Sequence, residues 1–261
     1  MKLIISSYNK DEESLTLFDL NLENKTYQKL DYKTINAPSF VISNNDYIYT
    51  YKKEPITLVS YQIVDNQLKE VDELKIPGTT LTHLCYSKKH QKMFAASYAD
   101  GALLKVDVKD GKYSNLKYMK QIEDERESKV HCMTLNDDES LVLSVNIKLD
   151  ELFIYDLDLN LVKTIKLPIG IGPRHAKWIG NNIYIITEYS NELLIVDYNS
   201  GSIIDTVHTI HSDVVSYGGT LNITSDAKYI YAANRGEETI AKYQIINNKL
   251  KYLSSFSCGG M

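Results

Sequence analysis

One pattern of short strand-like segments recurs along the sequence about every 45 residues. Each copy has a short run, a turn, two apolar runs and a polar fourth segment. The copies align at five anchors, with intervals of 43, 51, 43 and 45 residues, at Pro38, Leu81, Cys132, His175 and Thr220. Units of this length with about four strands are typical of β-propeller blades. We therefore predict an all-β propeller as a single domain over residues 1–261, in which residues 1–35 supply most of a further blade but lack its innermost strand.

The individual segments have the composition of strands. Tyr, Ile and Val dominate them, turn residues bound them, and none shows the 3.6-residue period of an amphipathic helix. The clearest strand candidates are YIYTY (47–51), LVSYQI (58–63), MFAASY (93–98), LLKVDV (103–108), LVLSVN (141–146), LFIYDL (152–157), IYIITEY (183–189), LLIVDY (193–198), YIYAAN (229–234) and IAKYQI (240–245).

Composition limits the classes of function. The net charge of −5 argues against a general nucleic-acid or anionic-membrane binder, because both need a basic surface. No run approaches the ~18 apolar residues of a membrane span, and the first residues lack the features of a secretory signal. Cys85, Cys132 and Cys258 have no CxxC spacing, which indicates buried thiols and neither a disulfide framework nor a zinc site. We predict a cytoplasmic protein without a cofactor.

The longest interval between anchors contains an insertion, QIEDERESK, at residues 121–129. Such a charged segment could be an acidic loop that binds a partner. A solvated insertion between two blades is the favoured interpretation, because charge runs are usually solvated.

Polar residues are expected to gather where the inner strands begin. Each unit starts with a hairpin, and a turn centred between Asn181 and Asn182 would place His175 opposite Glu188. The same construction pairs residues 81 with 98, 132 with 146, and 220 with 234. Because first strands line the central channel of a propeller, these positions should converge on one rim. The polar rim candidates are His83, Tyr98, His131, Asn146, Arg174, His175, Glu188, Asn222, Asn234 and Arg235.

Four short motifs resemble a known family, the seven-bladed propeller lactonases of the bacterial 6-phosphogluconolactonase type. GPRH at 172–175, followed by TE at 187–188, is similar to that family's GPRH segment and the Asn-Glu after it. ANRG at 233–236 resembles its NRG turn, SYADG at 97–101 with His83 resembles another blade, and His131 matches a further channel histidine. The four motifs occur in order on a matching blade period, and the resemblance covers the whole chain.

The sequence also departs from the family. Thr220 and Asn222 stand where the family usually has an acid and a histidine, and Asn146 stands where it often has Asp, although Asp150 is kept. The next anchor is expected near residue 265, so we expect about one blade and the closing inner strand, roughly 50–60 residues, to be missing. Unpaired blade edges would then favour pairing with another copy of the chain.

The resemblance implies a hydrolase for a small anionic sugar lactone, with 6-phosphogluconolactone favoured. Because the sequence shows no metal-ligand spacing, we expect the hydrolase to be metal-independent. Lactone hydrolysis needs an activated water, a site for negative charge and a proton donor for the leaving alkoxide. On this interpretation Glu188 and His175 form a coupled pair that handles the water proton, and Arg174 polarises the carbonyl or holds the substrate. The residues expected to bind the substrate are Arg235, Asn234, His131, His83, Tyr98 and Asn146.

Other interpretations remain open at this point. His175 and Glu188 could be a structural cross-strand pair worth ~0.2–1 kcal/mol, and Asn234 and Arg235 could belong to a turn. The departures at Thr220, Asn222 and Asn146 favour the main rival, a non-catalytic propeller that binds a partner or small ligand at the same rim. A redox propeller with a quinone or haem ranks low, because there is no CxxCH attachment site.

Overall fold

The computed structural model describes residues 1–44 and 47–259, and these residues form β-strands, turns and irregular segments without an α-helix. Accordingly, no helix in the described ranges is long and apolar enough to cross a membrane. The chain divides into two compact units, residues 1–121 and 122–261. Gly260 and Met261, where the lead into a further blade was expected, lie outside the described residues.

The first unit contains three sheets, which we call blades 1–3. Blade 1 has the strand order β1-β2-β3, blade 2 has β4-β5-β6-β7, and blade 3 has β8-β9-β10-β11. Blade 1 therefore has three strands, as the predicted lack of an innermost strand requires. The strands are β1 Lys2–Ser6, β2 Leu15–Asn21, β3 Thr26–Lys33, β4 Ile42–Ser43, β5 Tyr47–Lys52, β6 Thr57–Val64, β7 Gln67–Lys75, β8 His83–Ser87, β9 Lys92–Ser97, β10 Ala102–Lys109 and β11 Lys112–Lys120.

The second unit contains three four-stranded sheets, blades 4–6, each antiparallel and in simple chain order. Its first residues, 122–129, form no strand, as the predicted insertion requires. The strands are β12 Val130–Leu135, β13 Leu141–Asn146, β14 Glu151–Asp156, β15 Leu161–Lys166, β16 Pro173–Ile179, β17 Asn182–Thr187, β18 Glu192–Asp197, β19 Ile203–His208, β20 Tyr217–Ile223, β21 Tyr229–Arg235, β22 Thr239–Ile246 and β23 Lys249–Ser257. The predicted all-β blade architecture is confirmed by these sheets.

Apolar side chains on both faces of the middle strands pack successive blades together within each unit. Leu143 and Ile154 of blade 4 belong to one buried cluster with Trp178 and Ile185 of blade 5. A second cluster joins blades 5 and 6, and two more join blades 1 with 2 and 2 with 3. Because middle strands are covered on both sides, they appear in the sequence as nearly continuous apolar runs.

Carboxylates in three outer strands tie neighbouring blades to each other. Each accepts a hydrogen bond from a backbone N–H of the outer strand in the next blade of the same unit. Sequence reasoning missed these contacts. The available signal was the Asp that lies inside each of the three outer strands β3, β7 and β19. The pairs are Asp31 with Leu68 at 2.7 Å, Asp72 with Tyr113 at 2.8 Å, and Asp205 with Leu250 at 2.7 Å.

The hairpin registers differ from several predicted ones. In blade 3 the register is as predicted, since His83 pairs with Ala96. In blade 5 His175 pairs with Ile186, so the predicted pairing with Glu188 is wrong by two residues. The cause is a turn centred one residue earlier, between Gly180 and Asn181, which moves every partner by two residues. Ile179 pairs directly with Asn182, and Gly180, with φ of +56°, supplies the left-handed backbone that a two-residue turn needs.

Candidate functional site

The inner strands of blades 4, 5 and 6 each contain a β-bulge close to their first residue. The register shifts between Val130 and Cys132, between Pro173 and His175, and between Gly218 and Leu221. A bulge inserts an extra residue, bends the strand and re-aims a side chain. The residues at these bulges are His131, Arg174, and Gly219 with Thr220, so the three strands present polar groups where a regular ladder would continue.

Glu188 lies at the centre of the cluster in the second unit. It follows β17, and its side chain is 21% exposed. Its Oε2 atom accepts a hydrogen bond from Arg174 Nε at 2.9 Å and forms an ion pair with Arg235 Nη2, also at 2.9 Å. Arg174 comes from the inner strand of blade 5 and Arg235 from the second strand of blade 6. Two blades therefore contribute one cation each to a single carboxylate oxygen.

Backbone carbonyls hold both guanidinium groups in place. Arg174 Nη1 donates to the carbonyl of Gly219 at 2.5 Å, and Arg235 Nη2 donates to the carbonyl of Gly218 at 3.1 Å. The N–H of Gly218 in turn donates to the backbone carbonyl of Glu188 at 3.1 Å. Charged hydrogen bonds of this kind are short and directional. They close a network in which the arginines, the carboxylate and the start of β20 fix one another.

His175 lies beside this network and is bonded to Thr220. Its Nδ1 atom is 2.8 Å from Thr220 Oγ1, and its Nε2 atom is 3.5 Å from Arg174 Nη1. A guanidinium can only donate, so Nε2 can bond to Arg174 only as an acceptor. The ring centroid of His131, a buried residue, is 5.1 Å from that of His175. Two imidazole rings therefore accompany the two arginines.

Two of the predicted substrate-binding residues are buried and bonded to backbone groups. Asn146 is fully buried, and its Oδ1 accepts from the N–H groups of Lys129, Lys148 and Leu149. Asn234 is 3% exposed and donates through Nδ2 to the carbonyl of Thr209 at 2.8 Å. These bonds order the connections that lead into the inner strands.

The remaining predicted site residues, His83 and Tyr98, belong to the first unit. His83 begins β8, and its ring contacts that of Phe40, with centroids 4.4 Å apart and planes tilted by 40°. Tyr98 follows β9, is partly buried, and accepts through its carbonyl from the N–H of Gly101 at 3.3 Å. Their predicted contact with substrate stays a prediction.

The structure brings together Arg174, His175, Glu188, Arg235 and His131 of the predicted set. Sequence reasoning missed Gly218 and Gly219, whose carbonyls hold the arginines, and it missed the contact between Thr220 and His175. The consecutive glycines in YGGT were the available signal, because Gly inside a strand marks a bulge or a close backbone approach. Among the described residues, no group of three or more His, Cys, Asp or Glu is placed to hold a metal ion.

Comparison with known proteins links this chain to a family. A family model described as "Lactonase, 7-bladed beta-propeller" matches residues 2–261. The chain is 26% identical over 268 residues to a Bacillus subtilis (strain 168) protein named 6-phosphogluconolactonase. That match covers 92% of this chain and 76% of the Bacillus protein.

Solved structures show the same fold. A putative 6-phosphogluconolactonase from Bacteroides fragilis superposes with a TM-score of 0.86 at 19% identity, over 100% of this chain and 82% of that chain. A periplasmic gluconolactonase from Pseudomonas aeruginosa gives 0.88 at 15% identity, over 100% and 84%. Blades 1–6 of the described residues are one fewer than the seven blades in the family description, which agrees with the expected incomplete propeller.

Proposed function

Because the chain belongs to the seven-bladed β-propeller lactonase family, we propose that it hydrolyses a sugar lactone and that 6-phosphogluconolactone is its preferred substrate. The Bacillus relative, named as a 6-phosphogluconolactonase, and the two solved structures of gluconolactonase type support a lactonase-type function. The arrangement around Glu188 supports a substrate that is anionic.

One observation carries the proposal: Arg174 and Arg235 meet on the same oxygen of Glu188, next to His175. Two cations and one anion leave a local excess of positive charge when the imidazoles are neutral. Arginine forks match carboxylate and phosphate oxygens through paired hydrogen bonds. Arg235 is 49% exposed and Arg174 is 18% exposed. These exposures support the assignment of Arg235 to the substrate phosphate and of Arg174 to the lactone carbonyl.

The proposed chemistry is metal-free hydrolysis by general acid–base catalysis. A water loses a proton to Glu188 or His175 as its oxygen bonds to the lactone carbonyl carbon, and Arg174 stabilises the negative charge that develops on the carbonyl oxygen. The ring C–O bond then breaks, and the leaving alkoxide takes up a proton from the conjugate acid of the base. The product is a hydroxy acid, which ionises and releases one proton to solvent.

The deciding experiment is the initial rate of 6-phosphogluconolactone hydrolysis, measured as proton release at constant pH and corrected for the spontaneous rate. Glu188→Gln keeps the shape of the side chain but removes the charge that both arginines bind. We expect kcat/KM to fall by about 10²–10⁴-fold, the range for loss of a general base. Turnover at the wild-type rate by Glu188→Gln excludes the assignment of Glu188.

Glu192→Gln is the matched control, because Glu192 lies in the same blade and its Oε2 accepts from Ser190 Oγ at 2.7 Å. This variant should keep wild-type turnover. Addition of a chelator should leave the rate unchanged, and a chelator-sensitive rate would refute the metal-free mechanism.

We also propose that the protein acts in the cytoplasm.

A second function is favoured by one specific observation. Both arginines are already engaged, Arg174 with Glu188 and Gly219, and Arg235 with Glu188 and Gly218. An anionic ligand could displace Glu188 or the carbonyls from the two arginines. Such a ligand would be bound without being hydrolysed. Folded wild-type protein that binds 6-phosphogluconate in calorimetry but hydrolyses no lactone would establish this binding function.

A further inference from the structure

Asp150 is a buried carboxylate that the proposed chemistry does not use. It ends the turn between β13 and β14 and is 7% exposed. Its Oδ2 accepts from the N–H of Gly170 at 2.7 Å, and its Oδ1 accepts from the N–H of Gly172 at 2.8 Å. Each carboxylate oxygen thus holds one amide of the segment that leads into β16.

That segment is directly connected to the site. Gly172 precedes the bulge at Arg174 by two residues, and its carbonyl accepts from the N–H of Glu188 at 2.6 Å. The backbone of Tyr189 is also tied to this segment, since its N–H donates to the carbonyl of Ile171 at 3.1 Å. A continuous path therefore runs from the Asp150 carboxylate through one residue, Gly172, to the backbone of Glu188.

The chemistry of position 150 requires a carboxylate. Both partners are N–H donors, and a carboxylate accepts on both oxygens, whereas an amide offers one acceptor and one NH₂ donor. Carboxylates that accept backbone N–H bonds form charge-assisted bonds that are shorter and stronger than neutral ones. The backbone of Asp150 has φ of +54°, a conformation that Asn and Asp adopt several times more often than other non-glycine residues.

We propose that Asp150 is a positioning residue for the reaction: it sets the place of Glu188 between the two arginines by clamping Gly170 and Gly172. The predicted effect on turnover rests on the proposed function. The predicted effect on the position of Glu188 does not depend on that function. Asp150 contacts neither arginine through the bonds described above, so its effect is transmitted through the backbone. Misplacement of a reacting group by about 1 Å can cost about 10²-fold in rate.

The test is Asp150→Asn. Asn tolerates the left-handed backbone at this position, but its NH₂ group would face the N–H of either Gly170 or Gly172, so one hydrogen bond is lost. We expect kcat to fall by about 10–100-fold, while KM changes by less than about threefold because the two arginines keep their carbonyl partners. In parallel, amide hydrogen exchange should become faster at Glu188, which Asp150 does not touch.

Asp205→Asn is the matched control, since Asp205 also accepts a backbone N–H, that of Leu250 at 2.7 Å, but does so between outer strands. An equal loss of kcat in both variants would mean general destabilisation and would overturn the proposal. Unchanged kcat and unchanged exchange at Glu188 in Asp150→Asn would also overturn it. If wild-type protein hydrolyses no lactone, the proposed function fails, and exchange at Glu188 alone decides whether Asp150 positions this residue.

Discussion

Replacement of Gly218 by Ala tests how closely blades 5 and 6 must approach at the site. A Cβ atom at this position would lie 2.0 Å from the carbonyl oxygen of Thr187 and 2.9 Å from its carbonyl carbon. Real Cβ contacts are almost never shorter than 3.0 Å, so the two backbones must separate by at least 1 Å. Neither obstacle is a flexible side chain, and relaxation by rotamer change is therefore excluded.

The cost can be worked out from the two consequences of this shift. Overpacking in a well-packed region costs about 1–3 kcal/mol. The separation also weakens the hydrogen bond from Gly218 N–H to the Glu188 carbonyl, which contributes about 0.5–1.5 kcal/mol. We expect Gly218→Ala to lower the free energy of unfolding by about 2–4 kcal/mol. Turnover should fall by about 10²-fold, because the shift moves the carbonyl that holds Arg235.

The assay is urea unfolding followed by tryptophan fluorescence, with lactone hydrolysis measured on the same samples. Gly180→Ala is the control, because it introduces a Cβ with nothing within 4 Å but retains the strain of φ at +56°. That strain costs about 1–2 kcal/mol. If both variants unfold at the same urea concentration with equal slopes, the close approach at Gly218 does not limit stability, and the reasoning is wrong.

Two further predictions concern titration and thiol reactivity. Burial acts to raise the pKa of Glu237, but hydrogen bonds from Thr239, the N–H of His211 and Ser212 outweigh it and lower the pKa below 4.5. This stabilisation is fully present well above the ordinary pKa of a glutamate and is lost as the pH falls through the lowered folded pKa. The destabilisation by Glu237→Gln in urea unfolding at pH 7 should therefore vanish in acid, and a constant difference would contradict this. Burial raises the pKa of the Cys132 thiol to about 11. A disulfide reagent at pH 8 should therefore label the exposed Cys258 in native protein and Cys132 only after unfolding. Rapid labelling of Cys132 in native protein would contradict its burial.

The blade period was visible in the sequence because it depends on local properties. Each of the apolar segments named at the outset overlaps a strand, and four of them extend one or two residues past its end. The turns between them contain Gly, Asn and Asp. Middle strands such as β13 and β17 are buried at nearly every position, so both faces leave an apolar signature. Outer strands such as β3 are largely exposed and charged, and their sequences resemble loops.

Register was only partly predictable, because one residue more or less in a turn changes every pair. Blade 3 has the predicted register, whereas the turn of blade 5 lies one residue earlier than predicted, at Gly180 and Asn181, and this shifts each partner by two residues. The bulges at His131 and Arg174 add further shifts. A bulge is favoured where a side chain must be directed toward a neighbouring blade. Local sequence patterns carry no information about this requirement, because it depends on tertiary packing.

The sequence by itself determined that Arg174, His175, Glu188 and Arg235 start or end strands of two adjacent blades. It indicated His175 as the partner of Glu188, because a cross-strand pairing was the only contact that spacing could suggest. The tertiary structure decided otherwise: Arg174 and Arg235 share one oxygen of Glu188, and His175 bonds to Thr220. The physical reason is the close approach at Gly218 and Gly219, which lets the carbonyls of one blade hold the cations that the carboxylate of the other blade neutralises.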